Sequence, residues 1–125
     1  MKKMLCAMLL VVAATAFAHH SPAVFDLTKQ VKVVGVVKEF RWTNPHSWIE
    51  LDVRGPKGAE AWAVEMTGPT HLVKAGWKST TLKPGDEVTI TVNPLRTDEK
   101  VGKFVSVTFK DGRVLSERAG SVTRP

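Results

Sequence analysis

The chain has 125 residues and a formal net charge of +6 at pH 7, with a single cysteine, Cys6. This length suffices for one small domain but not for two. Because Cys6 lies within the first 18 residues, which we interpret as a cleaved leader, the remaining 107 residues exclude a disulfide framework and thiol chemistry.

The first 18 residues have the pattern of a secretory signal peptide. Met1-Lys2-Lys3 gives a positive start, Met4–Phe17 is an uncharged apolar run, and Ala16-Phe17-Ala18 is a small-x-small cleavage signal. The run is too short and wrongly flanked for a lasting transmembrane helix. We therefore expect export to the periplasm, no stable membrane insertion and a mature chain that begins with His19-His20.

The mature part begins with a polar arm, residues 19–30. Val31–Trp42 is a long β-branched run that predicts the first strand, and Gly35 in its middle predicts a bend or bulge there. Thr43–His46 reads as a turn. Ser47–Arg54 alternates apolar and polar residues, as a half-buried strand does.

The middle of the chain predicts two more strands around a short helix. Residues 55–58 form a glycine- and proline-rich turn that leads into a returning strand, Glu60–Met66. A helix is expected over His71–Ala75, because a capping hydroxyl and a proline precede it and Gly76 follows it. Alternation then predicts a fourth strand at Val88–Val92.

The last part predicts a fifth strand and a short return. A polar loop, Arg96–Lys100, precedes the fifth strand, Phe104–Phe109. Asp111-Gly112 is typical of a hairpin turn, and Val114-Leu115 is expected to form a short return strand. Residues 116–125 are expected to be a flexible tail.

The order of these elements predicts a closed barrel. A single open sheet of five strands would expose an apolar face and two edges, and closure removes both. Five strands with a short helix between strands 3 and 4 follow the order of the OB fold. We therefore predict an all-β, five-stranded antiparallel, OB-fold-like barrel over residues 31–115, after a leader (1–18) and an arm (19–30). An open two-layer β-sandwich and an SH3-like barrel are the alternatives.

Several motifs resemble a known family. They are Ala18-His19-His20-Ser21, Glu39-Phe40, the WTNPHSW segment at Trp42–Trp48, Glu65-Met66, Gly76-Trp77 and the LKPGD segment at Leu82–Asp86. Together they resemble a family of small exported bacterial proteins that is known only as a domain of unknown function. The resemblance implies export and a single domain, and it implies no activity, substrate or catalytic residue.

The histidines form the first candidate site. A mature N-terminal His19 would offer its amine and its ring to one metal ion, and a third nitrogen would complete a T-shaped set that suits copper. His46 is the expected third ligand, because the loop between strands 1 and 2 helps to form the ligand-binding face of OB folds. His20 offers a second mode, through the amine, a deprotonated backbone amide and its imidazole. The alternatives are a His-His start that suits only the signal peptidase and a His46 ring that bonds its own turn; His71 is expected to be a surface or packing residue.

The aromatic residues form the second candidate site. Trp42 and Trp48 flank the turn, and with Asn44 and His46 as polar anchors they would form a stacking platform for a sugar ring or another flat ligand. The alternative is that the tryptophans are structural and plug the ends of the barrel or cover an edge.

No motif indicates catalysis. The chain lacks a Gly-x-Ser-x-Gly elbow, a phosphate-binding glycine loop and an HExxH segment. The strand carboxylates Glu39, Glu50, Asp52 and Glu65 are expected to pair with basic residues across strands. We therefore predict a protein that is not an enzyme.

The expected role is binding in the periplasm. Loss of the two leader lysines lowers the formal charge from +6 to +4, which serves solubility and permits weak attraction to anionic envelope polymers. Export and charges of mixed sign argue against a nucleic-acid partner. Copper or another metal is the first candidate ligand. The alternatives are an envelope adaptor that binds glycan, lipid or a partner protein through the Trp-Asn-Pro-His-Ser-Trp loop, and a subunit whose strand edge pairs with another chain.

Overall fold

The structure, a computed structural model, describes residues 22–119. After a short 3-10 helix, Pro22–Val24, the elements are β1 (Val31–Arg41), β2 (Trp48–Gly55), β3 (Gly58–Glu65), α1 (Pro69–Lys74), β4 (Glu87–Pro94), β5 (Val101–Phe109) and β6 (Val114–Ser116). The predicted leader and both histidines of the predicted mature start, His19 and His20, lie outside the described residues.

Five of the strands close into a barrel of OB-fold order. β1 pairs with β2 and β4, β2 pairs with β3, and β4 pairs with β5, all antiparallel. The barrel closes where β3 meets β5 over Ala63–Glu65 and Val101–Lys103, and this pair is parallel. A ring of five strands cannot alternate direction all the way round, so one pair must be parallel. The predicted barrel and helix position are confirmed, and the prediction of antiparallel pairing holds for every barrel pair except this one.

β1 belongs to both halves of the barrel. Its first half pairs with β4 and its second half with β2, with Val36 shared between them. The bulge lies between Val37 and Glu39, so the predicted bulge at Gly35 is displaced by a few residues. Gly35 serves a close approach instead, because a Cβ there would lie 2.7 Å from the carbonyl oxygen of Asp52 on β2.

The interior is filled by alternate residues of the strands and by one tryptophan. Trp77, which follows α1, is 1% exposed, and its Nε1 donates to the carbonyl oxygen of Ser116 at 2.8 Å. The ring centroid of Phe104 lies 5.5 Å from that of Trp77 and the centroid of Phe40 lies 5.9 Å from it. The fully buried aliphatic side chains around them include Ile49, Leu51, Val64, Leu72, Leu82, Ile90, Val92 and Val107.

α1 is a short helix that links the two halves of the sheet. Gly68 is its N-cap and makes no side-chain capping bond, so the predicted capping hydroxyl is not used. Pro69 stands in the first turn, where its missing N–H leaves no bond unmade. Gly76 ends the helix region with φ of +91°, a conformation that favours glycine. Within residues 22–119, no helix is long and apolar enough to cross a membrane.

Both ends of the described chain contact the barrel. Phe25 of the arm is buried and forms an isolated bridge with Leu95, beyond the end of β4. Glu117, in the segment expected to be a flexible tail, accepts the N–H of Thr67 through its Oε1 at 2.7 Å. The arm and the first residues after β6 are therefore part of the surface on which the candidate site lies.

Candidate functional site

The loop between β1 and β2 is fixed to the end of β3. The N–H of Ser47 donates to the carbonyl of Thr67 at 3.2 Å, and the N–H of Met66 donates to the carbonyl of Ser47 at 2.9 Å. Within the loop, Thr43 Oγ1 donates to the carbonyl of His46 at 2.8 Å. These bonds hold the backbone of His46 against a neighbouring strand.

The ring of His46 is oriented by the end of β3. Its Nδ1 lies 2.9 Å from the carbonyl oxygen of Met66 and 3.3 Å from Oε1 of Glu65. A carbonyl oxygen only accepts, so Nδ1 carries the proton and donates, and the lone pair of the neutral ring lies on Nε2. The side chain is 45% exposed, whereas that of Glu65 is 13% exposed. His46 therefore bonds the end of β3 rather than its own turn.

A cleft of about 300 Å³ lies beside His46, and we call it the histidine cleft. Its lining consists of Phe25, His46, Glu65, Met66, Thr67, Lys103 and Glu117. Burial raises the pKa of Glu117, while the hydrogen bonds from Thr67 and the charges of His71 and Lys103 oppose that rise. The cleft thus gathers one imidazole, two carboxylates and one ammonium group.

Trp48 lies on the outer face of the barrel, at the start of β2. The guanidinium carbon of Arg41 is 6.0 Å from its ring centroid, and Arg41 Nη2 is 2.8 Å from Oε1 of Glu50. The ring lines a second cleft, of about 420 Å³, which we call the tryptophan cleft. Its other lining residues are Val24, Phe25, Glu65, Leu95, Arg96, Thr97, Glu99 and Val101. Phe25 and Glu65 line both clefts, so the two adjoin.

The two tryptophans that flank the loop are not brought together. Trp42 packs against the core, with its ring centroid 5.6 Å from that of Phe40 and the rings nearly perpendicular. Trp48 faces outward and is only half-buried. Asn44 is exposed in the loop and lies against Gly68, where a Cβ would be 3.0 Å from its Oδ1. Of the four residues predicted for the aromatic site, His46 and Trp48 line the two adjoining clefts.

The predicted metal ligands are only partly within the described residues. His46 is in place at the histidine cleft, whereas His19 and His20 lie outside the described residues. Among residues 22–119, no three His, Cys, Asp or Glu side chains are grouped so that they could hold a metal ion. Within that part of the chain, His46 is therefore not joined by two further side-chain donors.

Sequence reasoning did not place Phe25, Lys103 or Glu117 at a site. Lys103 comes beside Glu65 through the parallel pairing of β3 with β5. That pairing joins segments far apart in the sequence, and no local pattern indicates it. The alternation of β3 could have indicated that Glu65 faces outward. It lies on the same side of the sheet as its cross-strand partner Trp48.

Comparison with known proteins identifies the family and nothing further. The model of a family of unknown function, DUF6152, matches residues 7–105, so the chain belongs to that family. This confirms the resemblance to a family without an established activity. Searches of curated proteins and of solved structures find no match.

Proposed function

We propose that this member of DUF6152 is an exported, non-enzymatic periplasmic protein that binds a metal ion, with copper as the candidate, through His46 and the N-terminal histidine of the cleaved chain. The orientation of the His46 ring carries the proposal. Nδ1 donates to Met66, and the carboxylate of Glu65 stands close by. Metal-ligating histidines have the same arrangement, with the far nitrogen bonded to a carbonyl or carboxylate and the near one left for the ion.

The reach of the chain supports the participation of His19. Phe25 lines the histidine cleft together with His46. Six steps of chain lead from Phe25 to His19, three of them through the 3-10 helix Pro22–Val24, and together they span about 17 Å at about 2 Å per 3-10 step and about 3.6 Å per extended step. The linear extent of a cleft of about 300 Å³, taken as the cube root of its volume, is shorter than this span. The length of the arm therefore permits the mature N-terminus to meet His46.

The donor set favours copper among divalent ions. The free amine of His19, its imidazole and Nε2 of His46 would give three nitrogens of intermediate softness. Nitrogen donors bind Cu²⁺ more tightly than the other first-row divalent ions, by the Irving–Williams order. His20 is the substitute donor if the amine and a backbone amide take part. The expected role is capture or buffering of the ion at the protein surface.

Titration of the cleaved protein with Cu(II) tests the proposal. We expect His46→Ala to weaken the affinity by about tenfold or more, since one of three donors is lost. One extra residue ahead of His19 should have a similar effect, because the amine is displaced. His71→Ala is the matched control, as the other histidine of the described residues, and should leave the affinity unchanged. An unchanged affinity in His46→Ala would contradict the proposal.

The predicted cleavage site and the predicted export are tested separately. Protein isolated from the periplasm should begin with His19-His20-Ser21-Pro22 on N-terminal sequencing. A different start would remove the amine of His19 from the donor set, and retention of the leader in the cytoplasm would contradict export.

A second candidate function is that of an envelope adaptor, and the half-buried, outward-facing ring of Trp48 favours it. The tryptophan cleft is lined largely by apolar side chains, including Phe25 and Leu95, and continues into the histidine cleft. Such a surface suits a ligand with an apolar face and polar groups at its edge. The fluorescence of Trp48 should respond to the ligand, and Trp48→Ala should abolish the response without unfolding the protein.

A further inference from the structure

We propose that the outer face of β3 carries one continuous groove for a chain of uncharged sugar rings. This inference rests on the second candidate function and names its ligand class. A third cleft, of about 440 Å³, lies over Ala61 and Ala63, and we call it the alanine cleft. It shares Glu99 and Val101 with the tryptophan cleft. The tryptophan cleft in turn shares two residues with the histidine cleft, so the three form a row.

The length of the row fits a polymer better than a single small molecule. The row follows the chain from Ala61 to Thr67, and six steps of an extended strand cover about 20 Å. The floor is low at one end because Ala61 and Ala63 have the smallest side chains that carry a Cβ. At the other end the row reaches the histidine cleft, which Thr67 lines.

The charges along the groove favour an uncharged ligand. Four acidic side chains line the three clefts, Glu50, Glu65, Glu99 and Glu117, together with four basic ones. A protein that binds nucleic acid tracks the phosphates with an excess of basic side chains. Because the charges here balance, a polyanion would gain no net attraction.

The groove also offers the two kinds of contact that sugars require. Trp48, which is half-buried, supplies an aromatic surface against which the C–H face of a ring packs. Glu50 is held by Arg41 at 2.8 Å and Glu65 lies 3.3 Å from His46, so both carboxylates are fixed as acceptors for hydroxyl groups. OB folds use the face of strands 2 and 3 and the adjoining loops to bind oligonucleotides and oligosaccharides, and the balanced charges here favour the second class.

Two ladders of soluble oligosaccharides test the inference. One ladder contains β-1,4-linked N-acetylglucosamine and the other β-1,4-linked glucose, each from a single ring to six rings. We expect the affinity for at least one ladder, measured by calorimetry with a chelator present, to rise by about tenfold or more from one ring to the longest chain that the groove holds. Single-stranded DNA should not compete.

Matched variants on β3 locate the binding. Ala61→Gln places a long uncharged side chain in the floor and should weaken the binding of long chains by about tenfold. Ala59→Gln changes the same residue type on the same face and strand but outside the three clefts, and should leave binding unchanged. Trp48→Ala should weaken binding to whichever ladder binds while leaving Cu(II) affinity intact.

The outcomes separate this inference from the adaptor function on which it rests. Equal affinity for one ring and six, no binding to either ladder, or equal effects of Ala61→Gln and Ala59→Gln would each overturn it. A Trp48 fluorescence response to lipid vesicles or to a peptide, with none to either ladder, would overturn the glycan groove and leave the adaptor standing. No response to any of these probes would overturn both, without bearing on the metal site.

Discussion

Trp77 and Trp48 lie on opposite sides of the same barrel wall and differ in almost every contact. Trp77 is enclosed by Phe40 and Phe104, and its indole N–H is bonded to the backbone of Ser116. Trp48 is half-buried, beside a guanidinium group and an open cleft. The interior tryptophan is enclosed by the protein on all sides, whereas the outer one leaves part of its ring exposed.

The comparison shows how strand parity separates inward-facing from outward-facing aromatic side chains. Trp42 and Trp48 flank one loop but face opposite ways. Trp42 lies two residues after Phe40 and packs against the core as Phe40 does, whereas Trp48 pairs with Arg41 and faces outward with it. Nearness in sequence therefore does not make them one site. On the outer face, the neighbour of the His46 ring is the carboxylate of Glu65.

The largest expected effect is on the stability of the inner side. Trp77→Ala should lower the free energy of unfolding by about 3–5 kcal/mol, because it leaves a cavity among buried rings. Trp48→Ala should lower it by less than about 1 kcal/mol. Urea denaturation followed by circular dichroism measures both. Trp77→Phe, which keeps a ring but loses the bond to Ser116, should fall between them; equal losses for Trp77→Ala and Trp48→Ala would contradict the assignment.

A second expected effect compares neighbours on β1. Gly35→Ala should lower the free energy of unfolding by about 1–3 kcal/mol, because the new Cβ would meet the carbonyl oxygen of Asp52 at 2.7 Å and force the strands apart. Val34→Ala, at a position 67% exposed, should change it by about 0.5 kcal/mol or less. Thermal unfolding of the two variants side by side makes the test. A Gly35→Ala protein as stable as Val34→Ala would show that the close approach is unimportant.

The smallest expected effect is a pH dependence at the histidine cleft. Because burial raises the pKa of Glu117 above 4.5 in the folded state, the native protein binds more protons than the unfolded chain at pH values just above 4.5. Stability should therefore fall as pH rises through this window, and Glu117→Gln should remove that fall. The free energy of unfolding, measured against pH for both proteins, gives the result.

Glu87 provides a control of opposite sign. Its pKa is lowered, chiefly by the hydrogen bond from Lys110, so its contribution is present above 4.5 and lost as pH falls through the lowered pKa. Glu87→Gln should therefore reduce the loss of unfolding free energy only on the acid side of the pH profile. If Glu117→Gln and Glu87→Gln changed the profile in the same direction, the burial of Glu117 would be contradicted.

Most of the barrel could be predicted because alternation is a local signal. Ile49 and Leu51 are buried as their spacing indicates, and the order of strands around α1 gives the closed fold. The position of the bulge was not predictable, because it depends on the register between β1 and β2 rather than on Gly35 alone. Gly35 marked the right region for a different physical reason, which is the approach of Asp52.

The candidate site was less predictable because it joins distant segments. The outward direction of Trp48 followed from the alternation of β2, and His46 from its place in the loop. Lys103 meets Glu65 only through the parallel closure of the barrel, and Glu117 meets Thr67 only because the segment after β6 packs back against the end of β3. No periodic pattern in the sequence encodes either contact.

We propose that His46 and the start of the mature chain bind one ion together. Nuclear magnetic resonance of the ¹⁵N-labelled cleaved protein tests it, since substoichiometric Cu(II) broadens the amide signals nearest to the ion. We expect that signals at His46 and at Phe25 fade together while those at Val34 and Val73 persist. Fading confined to the chain start, with His46 unaffected, would contradict the claim.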